Sequence, residues 1–162
     1  MKQRSDAMGW ITSPQGSAAF ADLWRVYDAH YDEIVSSTMM GIDKRLAASI
    51  GGFRSTANSA TTTRDLLRDG MLEGRWDPYL NAIQEVGAYY ARDGVPFLMW
   101  PPSVLNYAMA CEQHVVDAHG VEQDRMLACL RALHMYVDLT FVIIAGEYVR
   151  QREATLSEQR AG

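Results

Sequence analysis

Apolar residues recur every three to four positions along most of the chain, a spacing that places them on one face of a helix. The first stripe predicts a long helix from about Ser17 to Gly41, and it contains Phe20, Leu23, Trp24, Tyr27, Tyr31 and Ile34. A shorter helix is expected over residues 43–50, because the glycine pair at 51 and 52 ends it. The pattern therefore predicts an all-α protein.

The middle of the chain begins with a segment rich in serine and threonine, residues 55–63. Such side chains compete with the backbone for hydrogen bonds, so we expect an irregular entry before a helix over residues 64–72. Asp77 and Pro78 predict the start of the next helix, with Asp77 as N-cap and Pro78 at the first helical position. This helix is expected to reach about Arg92 and to point Tyr90 into the domain.

Two more helices are predicted in the last third of the chain. The first runs from Pro102 or Ser103 to His119, and the second runs from about Val121 to about Gln159. The last helix is apolar on two sides, which fits burial against its own domain on one side and a second subunit on the other. We take one face as the subunit interface: Leu130, Leu133, Val137, Phe141, Ile144 and Tyr148. The other face includes Leu127, Met135, Leu139 and Val142.

Composition narrows the functional classes. The chain has 162 residues, of which 48% are hydrophobic and 22% charged, as in one globular domain. A net charge of -5 without a lysine or arginine cluster excludes a nucleic-acid surface. No membrane span is expected, because no run approaches about 20 uninterrupted apolar residues. No secretory signal follows Met1, which is typical of a cytoplasmic protein.

Patterns for catalysis and metal binding are weak. The chain lacks a nucleophile elbow and a phosphate loop, so no enzyme activity is expected. Cys111 and Cys129 lack the spacing of a zinc or redox pair. No metal site is expected, because the histidines do not combine with a third ligand at metal-binding spacing. We expect His119 to be exposed, and His114 and His134 to face one another or the subunit interface.

The stretch from Val86 to Pro96 carries a family signal, with the pattern Val-Gly-x-x-Tyr-Ala-x-x-Gly-Val-Pro. It resembles the sixth-helix segment of the globin-coupled sensor domains, whose pattern is roughly Ile/Val-Gly-x-x-His-Ala-x-x-Gly-Leu/Val-Pro. In that family the histidine is the proximal haem ligand, and Tyr90 occupies its position here. The resemblance implies a globin-like sensor domain of the non-haem branch, similar to the N-terminal domains of stressosome sensor proteins and some bacterial kinases.

For such a domain the resemblance implies a role in signal input. The protein would form a homodimer through its last two helices as a four-helix bundle, and its long helix would pass a stimulus to a kinase, cyclase or stressosome-type output domain. This divides the chain into a lead-in (1–16), a sensor domain (17–150) and the start of a signalling helix (151–162). The former haem pocket would be filled either by large side chains, with Tyr90, Tyr89 and Trp100 as candidates, or by a small apolar ligand. Its expected lining is Tyr90, Tyr89, Val86, Trp100, Phe97 and Tyr107.

Two alternatives stay open. One is a haem-binding gas or redox sensor in which Tyr90 or a histidine holds the iron. A tyrosine ligand would need to be a phenolate on ferric iron, normally with a cation that lowers its pKa. The other alternative is a helical interaction module that binds no ligand. An absorption spectrum tests the first alternative, and the oligomeric state tests the second.

Overall fold

A computed structural model describes residues 9–42, 44–49 and 59–161. The longer helices are α1 (Pro14–Ala29), α2 (Tyr31–Met40), α3 (Ser59–Glu73), α4 (Trp76–Arg92), α5 (Trp100–His119) and α6 (Gln123–Ala161). Residues 44–49 are also helical, and a 3-10 turn at Phe97–Met99 precedes α5. These ranges contain no strand, so the predicted all-α class is confirmed for them. The predicted helix end at glycines 51 and 52 lies outside the described residues.

The first predicted helix is in fact two helices. The chain turns at His30, which separates α1 from α2. α1 also begins earlier than expected, at Pro14, inside the range predicted as a lead-in. Its start is explained by Ser13, whose hydroxyl accepts a hydrogen bond from the backbone N–H of Gly16 at 3.1 Å, with proline in the first turn.

The next two helices also begin before their predicted positions. α3 is already helical at Ser59, where the described residues resume, so this turn belongs to the segment predicted to be irregular. α4 starts at Trp76 with Arg75 at the N-cap, and Asp77 therefore lies in the first turn and does not cap it. A carboxylate in that turn still interacts favourably with the helix dipole.

α4 ends in a turn that contains a left-handed glycine. Gly94 has a φ of +74° and follows the C-cap residue Asp93. The N–H of Val95 donates to the carbonyl of Tyr90 at 3.1 Å, and the N–H of Gly94 donates to the carbonyl of Ala91. These two bonds form a Schellman motif, in which the buried Val95 packs in one small core with Tyr90.

α6 is the central helix, and it packs against α1, α4 and α5. α4 comes closest to it at Gly87, where an added Cβ would lie 3.1 Å from the Cα of Ile144. A side chain at this position would therefore push the two helices apart. Gly87 permits this close approach because it has no side chain.

The face of α6 that was predicted to meet a second subunit lies mainly inside the protomer. Leu133, Val137 and Ile144 are only 1%, 8% and 4% exposed, because they form part of the core with α1, α4 and α5. The other three members, Leu130, Phe141 and Tyr148, are partly buried. Periodicity alone could not say which of two apolar faces turns inward. Among the outward-facing residues of α6 are Leu127, Val142 and Val149.

α6 is also long and apolar enough to cross a membrane. An 18-residue window within Gln123–Arg160 has a mean hydropathy of 1.7, and a third of that window is buried in the protein. Core helices of soluble proteins satisfy the same criterion, so this is weak evidence. Arg131, His134 and Asp138 are exposed along α6, and such side chains are costly in hydrocarbon. The absence of a membrane span stays a prediction.

Candidate functional site: an aromatic cavity beside the long helix

A cavity of about 320 Å³ with a mainly aromatic and apolar wall is bounded by residues from all six α-helices. This is at the small end of the roughly 300–1,000 Å³ that is usual for ligand pockets. It is also about twice the roughly 150 Å³ of an engineered apolar cavity that holds benzene. The cavity therefore has room for a compact molecule of one or two rings.

Four of the six predicted pocket residues line this cavity: Val86, Tyr90, Trp100 and Tyr107. The other two, Tyr89 and Phe97, do not. Tyr89 lies beside Tyr90 on α4, and the two ring centroids are 5.5 Å apart. Phe97 packs instead against α6, with its ring centroid 5.4 Å from that of Tyr148.

The sequence analysis missed a second group of lining residues on α1, α4 and α6. This group includes Tyr27, Tyr79, Tyr136 and Thr140. Tyr27 belongs to the apolar stripe of the first predicted helix, and Tyr79 lies on the buried face of α4. The available signal was the repeated use of tyrosine at inward positions, since a buried phenol needs a hydrogen-bond partner and phenylalanine does not.

The hydroxyl groups of the cavity wall bond to one another. The Tyr79 hydroxyl lies 2.9 Å from the Thr140 hydroxyl, and the Tyr107 and Tyr136 hydroxyls are also 2.9 Å apart. Burial raises the pKa of Tyr79 to about 12, although its hydrogen bond to Thr140 opposes the shift. Burial likewise raises the pKa of Tyr107 and of Tyr136 well above the usual range. These phenols are therefore neutral at physiological pH.

Among the described residues that line the cavity, Arg64 is the only charged one. Its guanidinium donates to a carboxylate oxygen of Asp28 at 2.6 Å and stacks over the ring of Tyr31 at 3.9 Å from the centroid. The charge is thus already paired with an acid and an aromatic face. The remaining wall is mainly apolar, with hydroxyl groups as its polar component.

Trp100 connects the cavity to the point where α6 leaves the body of the protein. Its ring lies edge-on to Tyr90 with a centroid distance of 5.1 Å, and its indole N–H donates to the hydroxyl of Tyr148 at 2.8 Å. Tyr148 is partly buried, whereas residues 149–160 are all exposed. A change at Trp100 therefore reaches the helix at its last anchored residue.

The cavity offers haem iron few of its usual ligands. Haem iron is normally held by histidine, cysteinate, methionine or tyrosinate, and among the described lining residues these types are represented only by Met39 and the tyrosines. Where the pKa of a lining phenol is shifted, burial shifts it upward, which opposes the phenolate that ferric iron requires.

The histidines are arranged differently from their predicted positions. His119 is buried and not exposed. His114 does not face His134, because its ring stacks on that of His30 with a centroid distance of 4.1 Å. His134 instead lies against Glu112, with Nε2 3.1 Å from the carboxylate oxygen.

No family model, curated protein or solved structure matches this chain. The comparisons therefore identify no relative, and the globin-like resemblance stays a prediction.

Proposed function

We propose that this protein is the signal-input domain of a homodimeric signalling protein, and that it binds a small neutral molecule in the cavity without haem. The observation that supports this most is the position of Trp100, which lines the cavity and also holds Tyr148 by a hydrogen bond. A ligand that favours one position of Trp100 shifts the population of α6 conformations toward the one compatible with it.

The wall of the cavity indicates the class of ligand. Apolar side chains make up most of the surface, and hydroxyl groups there are paired, as for Tyr79 with Thr140. A charged ligand would lose its hydration, and the only cation on the described wall, Arg64, already binds Asp28. We therefore expect an uncharged aromatic or alicyclic molecule of one or two rings.

The exposed end of α6 supplies the output. Residues 149–161 extend the helix by about 20 Å, at roughly 1.5 Å per residue. Val142, Val149 and Leu156 are exposed apolar residues that follow one another at intervals of seven, which is the repeat of a coiled coil. This spacing supports parallel association of two copies, which would carry the signal to an output domain.

α5 presents a second exposed apolar stripe, which consists of Leu105, Met109 and Val116. Glu112 lies within this stripe and contacts His134 on α6, so the outward surfaces of the two helices adjoin one another. A dimer formed by this surface would be a four-helix bundle of α5 and α6. It would use a face of α6 different from the one predicted from the sequence.

Ligand binding is tested with indole and 2-naphthol as probes, by calorimetry and by quenching of tryptophan fluorescence. Val104→Trp fills the cavity that Val104 lines, and we expect it to weaken binding by about tenfold or more, since inserted volume cannot be accommodated in a packed site. Val121→Trp is the matched control, because Val121 is 98% exposed. If neither probe binds the parent protein, or if Val104→Trp binds the probes as tightly as Val121→Trp does, the cavity is not the ligand site.

Transmission is tested with Trp100→Phe, which keeps an aromatic ring and removes the N–H donated to Tyr148. Spin labels on Arg152→Cys report the distance between the two copies of α6, while the native cysteines are buried. We expect indole or 2-naphthol to change this distance in the labelled protein that retains Trp100. The distance should not change in the labelled protein that also carries Trp100→Phe. The same change in both proteins would contradict the proposed route.

Dimerisation is tested by light scattering. Val142→Asp and Met109→Asp place a charge on the proposed interface, and both positions are exposed, so the protomer should stay folded. Met40→Asp is the control, since Met40 is 85% exposed and belongs to neither α5 nor α6. A monomeric parent protein, or a dimer that survives both interface variants, would refute the interface. A Soret band that shifts and sharpens relative to that of free haemin, after haemin is added to the protein, would favour the haem alternative.

A further inference from the structure

Three potential metal ligands meet where the α1–α2 turn contacts α5. His30 lies in the turn, Glu33 in the first turn of α2, and His114 on α5. One oxygen of Glu33 is 3.6 Å from Nδ1 of His30, and its other oxygen is 3.6 Å from Nε2 of His114. The ligand atoms of all three residues lie within 4.8 Å of one another.

These distances suit a small divalent ion. Ligands of tetrahedral zinc lie at about 2.0–2.2 Å from the metal, so neighbouring ligand atoms are about 3.3 Å apart. Each imidazole nitrogen is within a few tenths of an ångström of this spacing from one oxygen of Glu33, so the carboxylate can bind the ion through both oxygens or turn to bind it through one. The stacked imidazole rings must turn so that their nitrogens converge, and the side chains of His30 and His114 are both partly exposed.

One of the potential ligand atoms is a buried nitrogen without a hydrogen-bond partner in the described structure. Nδ1 of His30 is buried, yet it makes no hydrogen bond within the described structure. A buried polar atom without a partner is costly, and coordination of a metal would satisfy it. The carboxylate of Glu33 is exposed, which leaves a route for an ion and a water molecule to enter.

We propose that His30, Glu33 and His114 form a binding site for a divalent transition metal ion, with Zn²⁺ as the best match. Two imidazoles and one carboxylate suit Zn²⁺ and also Co²⁺, Ni²⁺ and Cu²⁺, whereas Mg²⁺ and Ca²⁺ prefer oxygen ligands. Water completes the coordination. The bound ion would join the α1–α2 turn to α5, next to Tyr31, which lines the cavity.

The other acid–histidine contact provides a contrast within the same protein. His134 and Glu112 form a closer pair, 3.1 Å apart, but no third ligand group joins them among the described residues. A pair alone holds Zn²⁺ much less firmly than three protein ligands do. This pair is therefore a matched control for the proposed site.

The test uses the untagged protein, titrated with ZnCl₂ by calorimetry and with CoCl₂ by visible absorption at pH 7.5. We expect one ion per chain, with the d–d bands of a low-coordinate Co²⁺ site. Glu33→Gln and His114→Ala should each weaken binding by at least about tenfold, because loss of outer partners alone costs about 10–100-fold. His134→Ala should bind as the parent protein does.

Two measurements keep the result interpretable. Circular dichroism without metal checks that the variants fold, and Glu33→Gln changes a side chain that is 68% exposed, so its folding is not at risk. Failure of the parent protein to bind Zn²⁺ or Co²⁺ would overturn the proposal. Equal affinity in Glu33→Gln and the parent, or loss of binding in His134→Ala, would also overturn it. None of these outcomes depends on a ligand in the aromatic cavity.

Discussion

Replacement of Gly87 by alanine tests the close packing of α4 on α6. The added Cβ would lie 3.1 Å from the Cα of Ile144 and 3.1 Å from Cγ of Glu147, whereas ordinary contacts begin near 3.4 Å. The side chain of Glu147 can move, but Ile144 offers a backbone atom at the centre of α6. The two helices must therefore separate by a few tenths of an ångström.

Two opposing effects determine how much Gly87→Ala changes the free energy of unfolding. Alanine favours a helix over glycine by about 1 kcal/mol. Overpacking of a close-packed interface typically costs about 1–3 kcal/mol. Gly146→Ala on α6 isolates the first effect, because no atom lies within 4 Å of the added Cβ. We expect Gly146→Ala to stabilise the protein by about 1 kcal/mol and Gly87→Ala to be neutral or destabilising by up to about 2 kcal/mol.

Urea unfolding at one protein concentration measures the difference between the two variants. At a slope of about 2 kcal/mol per molar urea, a gap of about 2 kcal/mol separates the midpoints by about 1 M. The comparison holds while the slope stays the same in both variants. If Gly87→Ala proved as stabilising as Gly146→Ala, the close contact with Ile144 would be refuted.

Three further predictions concern buried and paired groups. The hydrogen bond and charge of Arg125 lower the pKa of Asp22. This pair therefore stabilises the protein above about pH 4, and the stabilisation is lost as the pH falls. Asp22→Asn should reduce the difference between the urea midpoints at pH 7 and pH 3. Tyr79→Phe removes the hydroxyl contact with Thr140 and should cost about 1 kcal/mol in urea unfolding, and adding Thr140→Val should recover part of it. Burial raises the pKa of both cysteine thiols to about 12, so a thiol reagent should modify them only as fast as the protein opens. The first prediction is contradicted if Asp22→Asn leaves the pH dependence unchanged, and the second if Tyr79→Phe leaves the urea midpoint unchanged. Rapid modification of the thiols in the folded protein would contradict the third.

Periodicity predicted the helices better than it predicted their ends. The stripe through Phe20 and Tyr27 identified α1, but nothing in the sequence marks the turn at His30, where neither glycine nor proline occurs. Ser13 caps α1 through its hydroxyl, whereas Asp77, with a side chain of similar capping tendency, lies within α4. Several residues near a helix start could cap it, and tertiary packing decides which one does.

The part of the candidate site that the sequence predicted lies on α4 and α5, which follow one another in the chain. Val86 and Tyr90 share the inward face of α4, and the turn after it brings Trp100 close, so local sequence was sufficient for these residues. His30 and His114 are 84 positions apart, as their numbers show, and their contact depends on how α2 packs against α5. The spacing of these residues along the chain does not indicate that they are in contact.

The packing of α6 also constrains how a signal could travel. At Ile144 the backbone of α6 lies so near Gly87 of α4 that an added Cβ would be 3.1 Å from the Cα of Ile144, and a shift of α6 along its axis would disrupt this packing. Tyr148 lies one turn further on, where it accepts the hydrogen bond from Trp100 and packs against Phe97, and the helix beyond it is exposed. The energy needed to bend or rotate α6 should therefore fall sharply at Tyr148. For this reason we expect a ligand at Trp100 to reorient the exposed end of α6 and to leave the buried part of the helix in place. Trp100→Phe should then uncouple ligand binding from the orientation of the exposed end without loosening the core.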